Sequence, residues 1–106
     1  MKLKLEIEQN GEFIEKEFST PRMRGRALKR MLEVTDVLTK AQEEGLFTLE
    51  HQELMCEFIC EMFGNKFTSE ELLDGIELSD LYPTFMTLTE TIGKKTMLKM
   101  ENLLKN

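Results

Sequence analysis

The feature that most constrains the fold is a strand–turn–strand pattern at the N-terminus. In residues 2–8 apolar and charged side chains alternate, as they do in a strand with one buried face. Asn10-Gly11 follows, and this dipeptide favours the two-residue turn of a β-hairpin because both residues tolerate positive φ. A return strand over residues 12–18 would set Ile7 opposite Ile14. Since a lone hairpin is only marginally stable in water, its apolar face must pack on another part of the chain.

The rest of the chain carries the start and stop signals of several helices. Residues 22–44 repeat apolar side chains at alternating spacings of four and three, which gives a helix one buried stripe. Gly45 and Gly75 are natural helix ends, and Thr68 with Glu71 forms a capping box that starts a short helix. The predicted helices cover residues 22–44, 49–63 and 69–74, with a last one that Ser79 or Asp80 caps and Gly93 interrupts.

Together these elements predict an α+β fold that is mostly α, in which an N-terminal β-hairpin packs on a small bundle of about four helices. A chain of 106 residues fits one domain with a modest core. We expect this domain to span residues 1–106, with the hairpin in residues 1–20 and the helical body in residues 22–93. Residues 94–106 form either a helical continuation or a mobile tail, and both alternatives stay open.

Charge is distributed unevenly along the chain, which has a net charge of −6. Residues 1–45 carry nine basic and nine acidic side chains, whereas residues 46–93 carry one basic and ten acidic ones. Residues 94–106 carry four lysines and one glutamate. The acidic middle makes nucleic acid an unlikely main partner, because binding to phosphates requires clustered cations.

A run of basic residues, with no acidic residue between them, lies near the start of the first predicted helix. It consists of Arg22, Arg24, Arg26, Lys29 and Arg30. No aromatic side chain is interleaved for base stacking, so we expect the run to contact carboxylates rather than nucleic acid. Those carboxylates belong either to the acidic ridge that Glu50, Glu53, Glu57 and Glu61 form on the second predicted helix or to a neighbouring copy, so self-association is an open alternative.

Residues with catalytic or metal-binding chemistry are few. Cys56 and Cys60 are four apart, a helical spacing that suits a disulfide poorly, and we interpret both as reduced core residues. His51 is the only histidine and occupies the place of a capping-box glutamate, which leaves that box incomplete. No nucleophile motif or phosphate loop is present, so we expect no enzyme activity, no cofactor and no metal. The N-terminus lacks a secretory apolar segment, and no stretch approaches membrane-spanning length, so we expect a cytoplasmic protein.

The most specific part of the chain is the stretch of residues 57–93. Its notable elements are Phe58, Phe63-Gly64-Asn65, Phe67-Thr68, Asp74-Gly75 and Tyr82-Pro83-Thr84-Phe85. With these elements the sequence resembles the tail assembly chaperones of long-tailed, siphovirus-type phages and prophages of Gram-positive bacteria. The hairpin and the basic helix start at Gly25-Arg26 are similar to the same family, whereas Cys56, Cys60 and the lysine-rich tail do not match its pattern.

The resemblance implies a protein that holds another protein and has no catalytic residue or cofactor. Members of this family bind the long, helical, apolar tape measure protein and keep it soluble until the tail tube polymerises around it; they are absent from the mature virion. Many members also have a longer, frameshifted form that is thought to recruit the tail tube protein, and Gly93-Lys94-Lys95 is the candidate slippage site here. The alternative function is a small nucleic-acid-associated phage or prophage regulator that uses Arg22–Arg30.

The second predicted helix suggests where a partner would bind. Its glutamates form one narrow ridge, and apolar side chains cover more than half of the helix surface, although a surface helix needs only a stripe about 100° wide. Either this helix is central in the fold, or it carries a second apolar face for a partner. From this arc and the family resemblance we predict that six residues line or underlie the partner surface: Met55, Phe58, Ile59, Met62, Phe85 and Met86.

Overall fold

A computed structural model describes the backbone of residues 1–104 and the side chains of residues 1–97. The elements in chain order are β1 (Lys2–Gln9), β2 (Glu12–Ser19), α1 (Gly25–Glu44), α2 (Leu49–Met62), α3 (Ser69–Gly75) and α4 (Leu78–Leu104). This architecture confirms the predicted α+β fold, an N-terminal hairpin followed by four helices. The assignment of one domain to residues 1–106 stays a prediction.

The hairpin has the predicted register. Asn10 and Gly11 both adopt positive φ, of 53° and 81°, and form the two-residue turn. Ile7 lies opposite Ile14 in the antiparallel pair. The buried residues of β1 are Leu3, Leu5 and Ile7, so the alternating pattern does direct one face of the strand into the protein.

Helix α2 lies at the centre of the core. Cys56, Phe58 and Ile59 are completely buried, and α2 contacts α1, α3 and α4. The wide apolar arc is therefore accounted for by central burial, the first of the two explanations that the sequence left open. The other helices add these buried residues: Ala27, Val34 and Ala41 from α1, Leu72 from α3, and Leu81, Phe85, Leu88 and Ile92 from α4.

Helix α3 holds the hairpin against the bundle. It begins with the predicted capping box, in which the Glu71 N–H donates to the Thr68 hydroxyl at 3.1 Å and the Thr68 N–H donates to the Glu71 carboxylate at 3.0 Å. It ends at Gly75, which packs directly on the main chain of Glu6 in β1. A side chain at position 75 would occupy the space of that strand.

Two helix boundaries differ from the predictions. Helix α1 begins at Gly25 and not at Arg22; its N-cap, Arg24, makes no side-chain capping bond, so no local capping signal marks the start. Helix α4 begins at Leu78, before the predicted caps, and continues through Gly93 to Leu104. A glycine costs a helix only about 1 kcal/mol relative to alanine, which is too little to break one that Ile92 anchors in the core. The predicted interruption is therefore wrong.

Candidate partner-binding groove

An apolar groove of about 750 Å³ lies between α1, α2 and α4. Most of its lining residues come from α1, α4 and the connection between α1 and α2. Its lining consists of Thr35, Leu38, Thr39, Ala41, Gln42, Gly45, Phe47, Met55, Tyr82, Phe85, Met86 and Thr89. None of these side chains is charged, so the groove is suited to an apolar surface.

The floor and the walls of the groove differ in exposure. Met55 and Phe85, each 4% exposed, form the floor and belong to the core. Phe47 and Tyr82 are 62% and 57% exposed, and Met86 is 37% exposed, so these three form walls that a partner would contact. Large exposed apolar side chains around a buried apolar floor are typical of a groove that accepts the apolar face of a helix. The thioethers of Met55 and Met86 can adapt to partners of different shape.

Phe47 is positioned by the cap of α2. The Thr48 N–H donates to Nδ1 of His51 at 2.9 Å, and the Thr48 hydroxyl lies 3.0 Å from the same nitrogen. The capping box that the sequence left incomplete is thus complete, with an imidazole nitrogen in place of a carboxylate. The Phe47 ring lies 5.9 Å from the imidazole, so the cap holds one wall of the groove.

The structure brings three of the six predicted partner-surface residues, Met55, Phe85 and Met86, into the groove. Phe58 lies beneath it, with its ring edge-on to that of Phe85 at a centroid distance of 5.5 Å. Ile59 is wholly buried, and Met62 lies against the basic run. Of the six, only Met86 presents substantial surface, and the role of the set in binding stays a prediction.

Phe47 and Tyr82, the two most exposed large apolar residues of the groove lining, are not among the six predicted residues. Phe47 lies in the short connection between α1 and α2, where an apolar aromatic residue has no local structural purpose, and that position was a usable signal. Tyr82 adjoins Pro83 and was noted only as part of the family resemblance. Its exposure depends on how α4 packs, which the local sequence does not reveal.

Arg30 is the member of the basic run that meets the acidic ridge. Its guanidinium contacts Glu61 at 2.8 Å, Glu33 at 3.5 Å and Glu57 at 3.8 Å. The hydrogen bond to Glu61 is the main cause that raises the pKa of Arg30 above its ordinary value. These contacts join the start of α1 to the end of α2.

The other four members of the run are exposed. Arg22, Arg24, Arg26 and Lys29 surround a second pocket, of about 440 Å³, and form no ion pair within the part of the chain that the structure describes.

The two cysteines are free thiols in the core. Burial raises the pKa of Cys56 to about 11, and burial also raises that of Cys60. A thiol with a raised pKa is a poor nucleophile at neutral pH, because the thiolate is the reactive form. In the described residues no group of histidine, cysteine and carboxylate side chains is arranged to hold a metal ion, and no helix is long and apolar enough to cross a membrane.

The sequence of the chain matches the model of a known protein family. The family model described as phage tail chaperone protein matches residues 1–105, almost the whole chain. The searches of curated proteins and of solved structures found no match.

Proposed function

The chain belongs to the phage tail chaperone family, and we propose that it binds the tape measure protein and keeps it soluble during tail assembly. The protein acts in the cytoplasm of the bacterial host and leaves before the virion is complete. It functions by binding this partner, and it requires no catalytic residue and no cofactor.

The observation that carries this proposal is the groove between α1 and α4. A long apolar helical protein that waits for assembly must hide its apolar stripe from water, and a groove of matching shape replaces that water. The uncharged lining means that no buried charge would be left without a partner when the groove is filled. Phe47, Tyr82 and Met86 would contact the bound helix, and Met55 and Phe85 would lie beneath it.

The partner's chemistry follows from this shape. The groove fits an amphipathic segment with apolar side chains at positions i, i+3 or i+4, and i+7, the spacing that places anchors on one face of a helix. Binding should be dominated by a few large anchors at the centre and should depend little on salt, because no charged group lines the groove.

Co-expression with the tape measure protein of the same phage tests the proposal. Phe47→Asp and Met86→Asp each place a charge in a wall of the groove without altering the core. We expect either change to shift the tape measure protein from the soluble to the insoluble fraction, while the chaperone variant itself stays soluble and folded.

A matched control is Leu32→Asp, which introduces the same charge on α1 at a residue that is 56% exposed and lies outside the groove lining. Leu32→Asp should leave the tape measure protein soluble. If folded Phe47→Asp and Met86→Asp variants solubilise it as well as the unchanged chain does, the groove is not the binding site. If the unchanged chain also fails, the assigned partner is wrong.

We also propose that a longer form made by frameshifting at Gly93-Lys94-Lys95 recruits the tail tube protein. Two adjacent lysines can be encoded by an A-rich run on which tRNAs re-pair after slipping by one base. The gene sequence decides the matter: a slippery heptamer with an overlapping open frame supports the longer form. Lysine codons that break the run, or an immediate stop in the shifted frame, exclude it.

A further inference from the structure

A second binding element lies at the start of α1, away from the groove. The pocket there, which we call the basic pocket, has the side chains of Arg22, Arg24, Arg26 and Lys29 around it and Met23, Ala27 and Met62 among its lining. The four cations are exposed, whereas Ala27 and Met62 are buried, so a charged rim surrounds an apolar base. The complementary ligand has one or two apolar side chains between acidic ones.

The same chain presents such a ligand at the other end of α1. Leu46 and Leu49, in the connection between α1 and α2, are 57% and 68% exposed and lie outside the groove lining. Four exposed glutamates flank them: Glu43 and Glu44 at the end of α1, and Glu50 and Glu53 in α2. None of these glutamates takes part in an ion pair among the described residues. We call this element the acidic loop.

The acidic loop cannot enter the basic pocket of its own chain. Helix α1 separates the two and has 20 residues, so at about 1.5 Å per residue they lie roughly 30 Å apart. That separation is several times the screening length of about 8 Å at physiological ionic strength, so the two ends do not neutralise each other within one molecule. Both are therefore available to a second molecule.

We propose that the acidic loop of one copy docks into the basic pocket of a second copy. The contact pairs glutamates with arginines at the rim and places Leu46 or Leu49 on the apolar base. Because the two surfaces are different, each pair leaves one basic pocket and one acidic loop free, and the contact is heterologous. Leu46, Leu49 and the four glutamates do not line the groove, although Phe47, which does, lies in the same connection, so the contact is proposed separately from the proposed function.

Nucleic acid is a poorer ligand for the same pocket. Two carboxylates, Glu33 and Glu61, also line it, but Arg30 pairs with both, so they do not decide between a phosphate and a carboxylate ligand. Its apolar lining is aliphatic and offers no aromatic ring on which a base could stack. An acidic protein segment that also carries leucines can pair with the exposed cations of the rim and cover the apolar base.

Sedimentation of the purified full chain tests the proposal with two variants. The basic-pocket variant carries Arg22→Gln, Arg24→Gln and Arg26→Gln. The acidic-loop variant carries Glu43→Gln, Glu44→Gln and Glu50→Gln. All six positions are exposed, so both variants should keep the melting temperature of the unchanged chain to within about 4 °C.

The unchanged chain should associate at low ionic strength and dissociate at high salt. Each variant alone should associate at least about tenfold more weakly, because several charge pairs are lost at once. A mixture of the two should form dimers and nothing larger, since only one intact pocket and one intact loop meet in each pair. Met86→Asp, in the groove, should associate like the unchanged chain.

Any one of three results on the association of the chain would overturn the proposal. The unchanged chain could remain monomeric at low salt, either variant could associate as strongly as the unchanged chain, or the mixture could fail to dimerise. Salt-sensitive binding of duplex DNA that the basic-pocket variant loses would also overturn it, because the pocket would then serve nucleic acid.

Discussion

Replacement of Gly75 by alanine gives the sharpest test of how the hairpin is attached. Gly75 is the last residue of α3, and its φ is not in the left-handed region that favours glycine. From helix propensity alone, alanine should stabilise the protein by about 1 kcal/mol. The structure predicts that alanine destabilises the protein instead, because the added methyl group would meet the main chain of Glu6, including its nitrogen at 3.1 Å.

The size of the destabilisation depends on the atoms that the new methyl group would meet, which belong to the main chain of Glu6. Overpacking of a well-packed site costs about 1–3 kcal/mol, and the upper end applies because a main chain cannot rotate away as a flexible side chain can. The propensity gain of about 1 kcal/mol offsets part of the overpacking cost of about 3 kcal/mol, so Gly75→Ala should lower the free energy of unfolding by about 2 kcal/mol. For a chain of this size the melting temperature should fall by about 8 °C.

Gly93→Ala is the matched control for this experiment. Gly93 also lies in a helix, but nothing approaches within 4 Å of the place its methyl group would take. We expect Gly93→Ala to raise the melting temperature by about 4 °C, in accordance with propensity. Thermal unfolding followed by circular dichroism measures both changes. A rise for Gly75→Ala would refute the close approach of α3 to β1, and a fall for Gly93→Ala would refute the continuous α4.

Three further predictions follow from individual contacts. Arg30→Ala should lower the free energy of unfolding by about 1 kcal/mol in urea titrations, and Arg30→Lys should restore less than half, since an ammonium cannot reproduce the forked contact with Glu61 and its neighbours. His51→Ala should cost about 1 kcal/mol because Thr48 loses its acceptor, whereas His51→Glu should keep the cap and its melting temperature. Cys56, with its pKa raised from 9.0 to about 11 by burial, should be alkylated at pH 8 at least about 100-fold more slowly in the folded than in the urea-unfolded chain, because burial lowers the thiolate fraction and also blocks access. Relative to Cys56→Ala, the unchanged chain should lose stability as the pH rises from about 9 to about 11, and identical pH profiles of the two chains would contradict the raised pKa.

Features governed by local geometry could be read from the sequence. The hairpin register follows from Asn10-Gly11, because a two-residue turn fixes every pair above it. The start of α3 follows from Thr68 and Glu71, because both capping bonds lie within four residues. In each case the determining atoms are close in sequence, so no knowledge of tertiary packing was needed.

Features that depend on what covers a residue could not be read in this way. The apolar arc of α2 was visible, but the sequence did not show that three helices cover it, so Phe58 and Ile59 could be predicted only to line or underlie a partner surface; the structure buries both. The start of α1 was misplaced because an uncapped helix gives no local signal. Gly93 was interpreted as a break because its propensity was judged without the packing of Ile92 beside it.

The central position of α2 also determines where a partner can bind. A helix that packs against α1, α3 and α4 has little surface left for a further protein. We therefore propose that the apolar surface for a partner comes from the elements around α2, where α1 and α4 line the groove. Phe47 and Tyr82 mark that place on the α1–α2 connection and on α4. In the proposed complex the bound helix rests on α1 and α4, two of the three neighbours of α2, and we expect its affinity to depend on the buried side chains of Met55 and Phe85 beneath it.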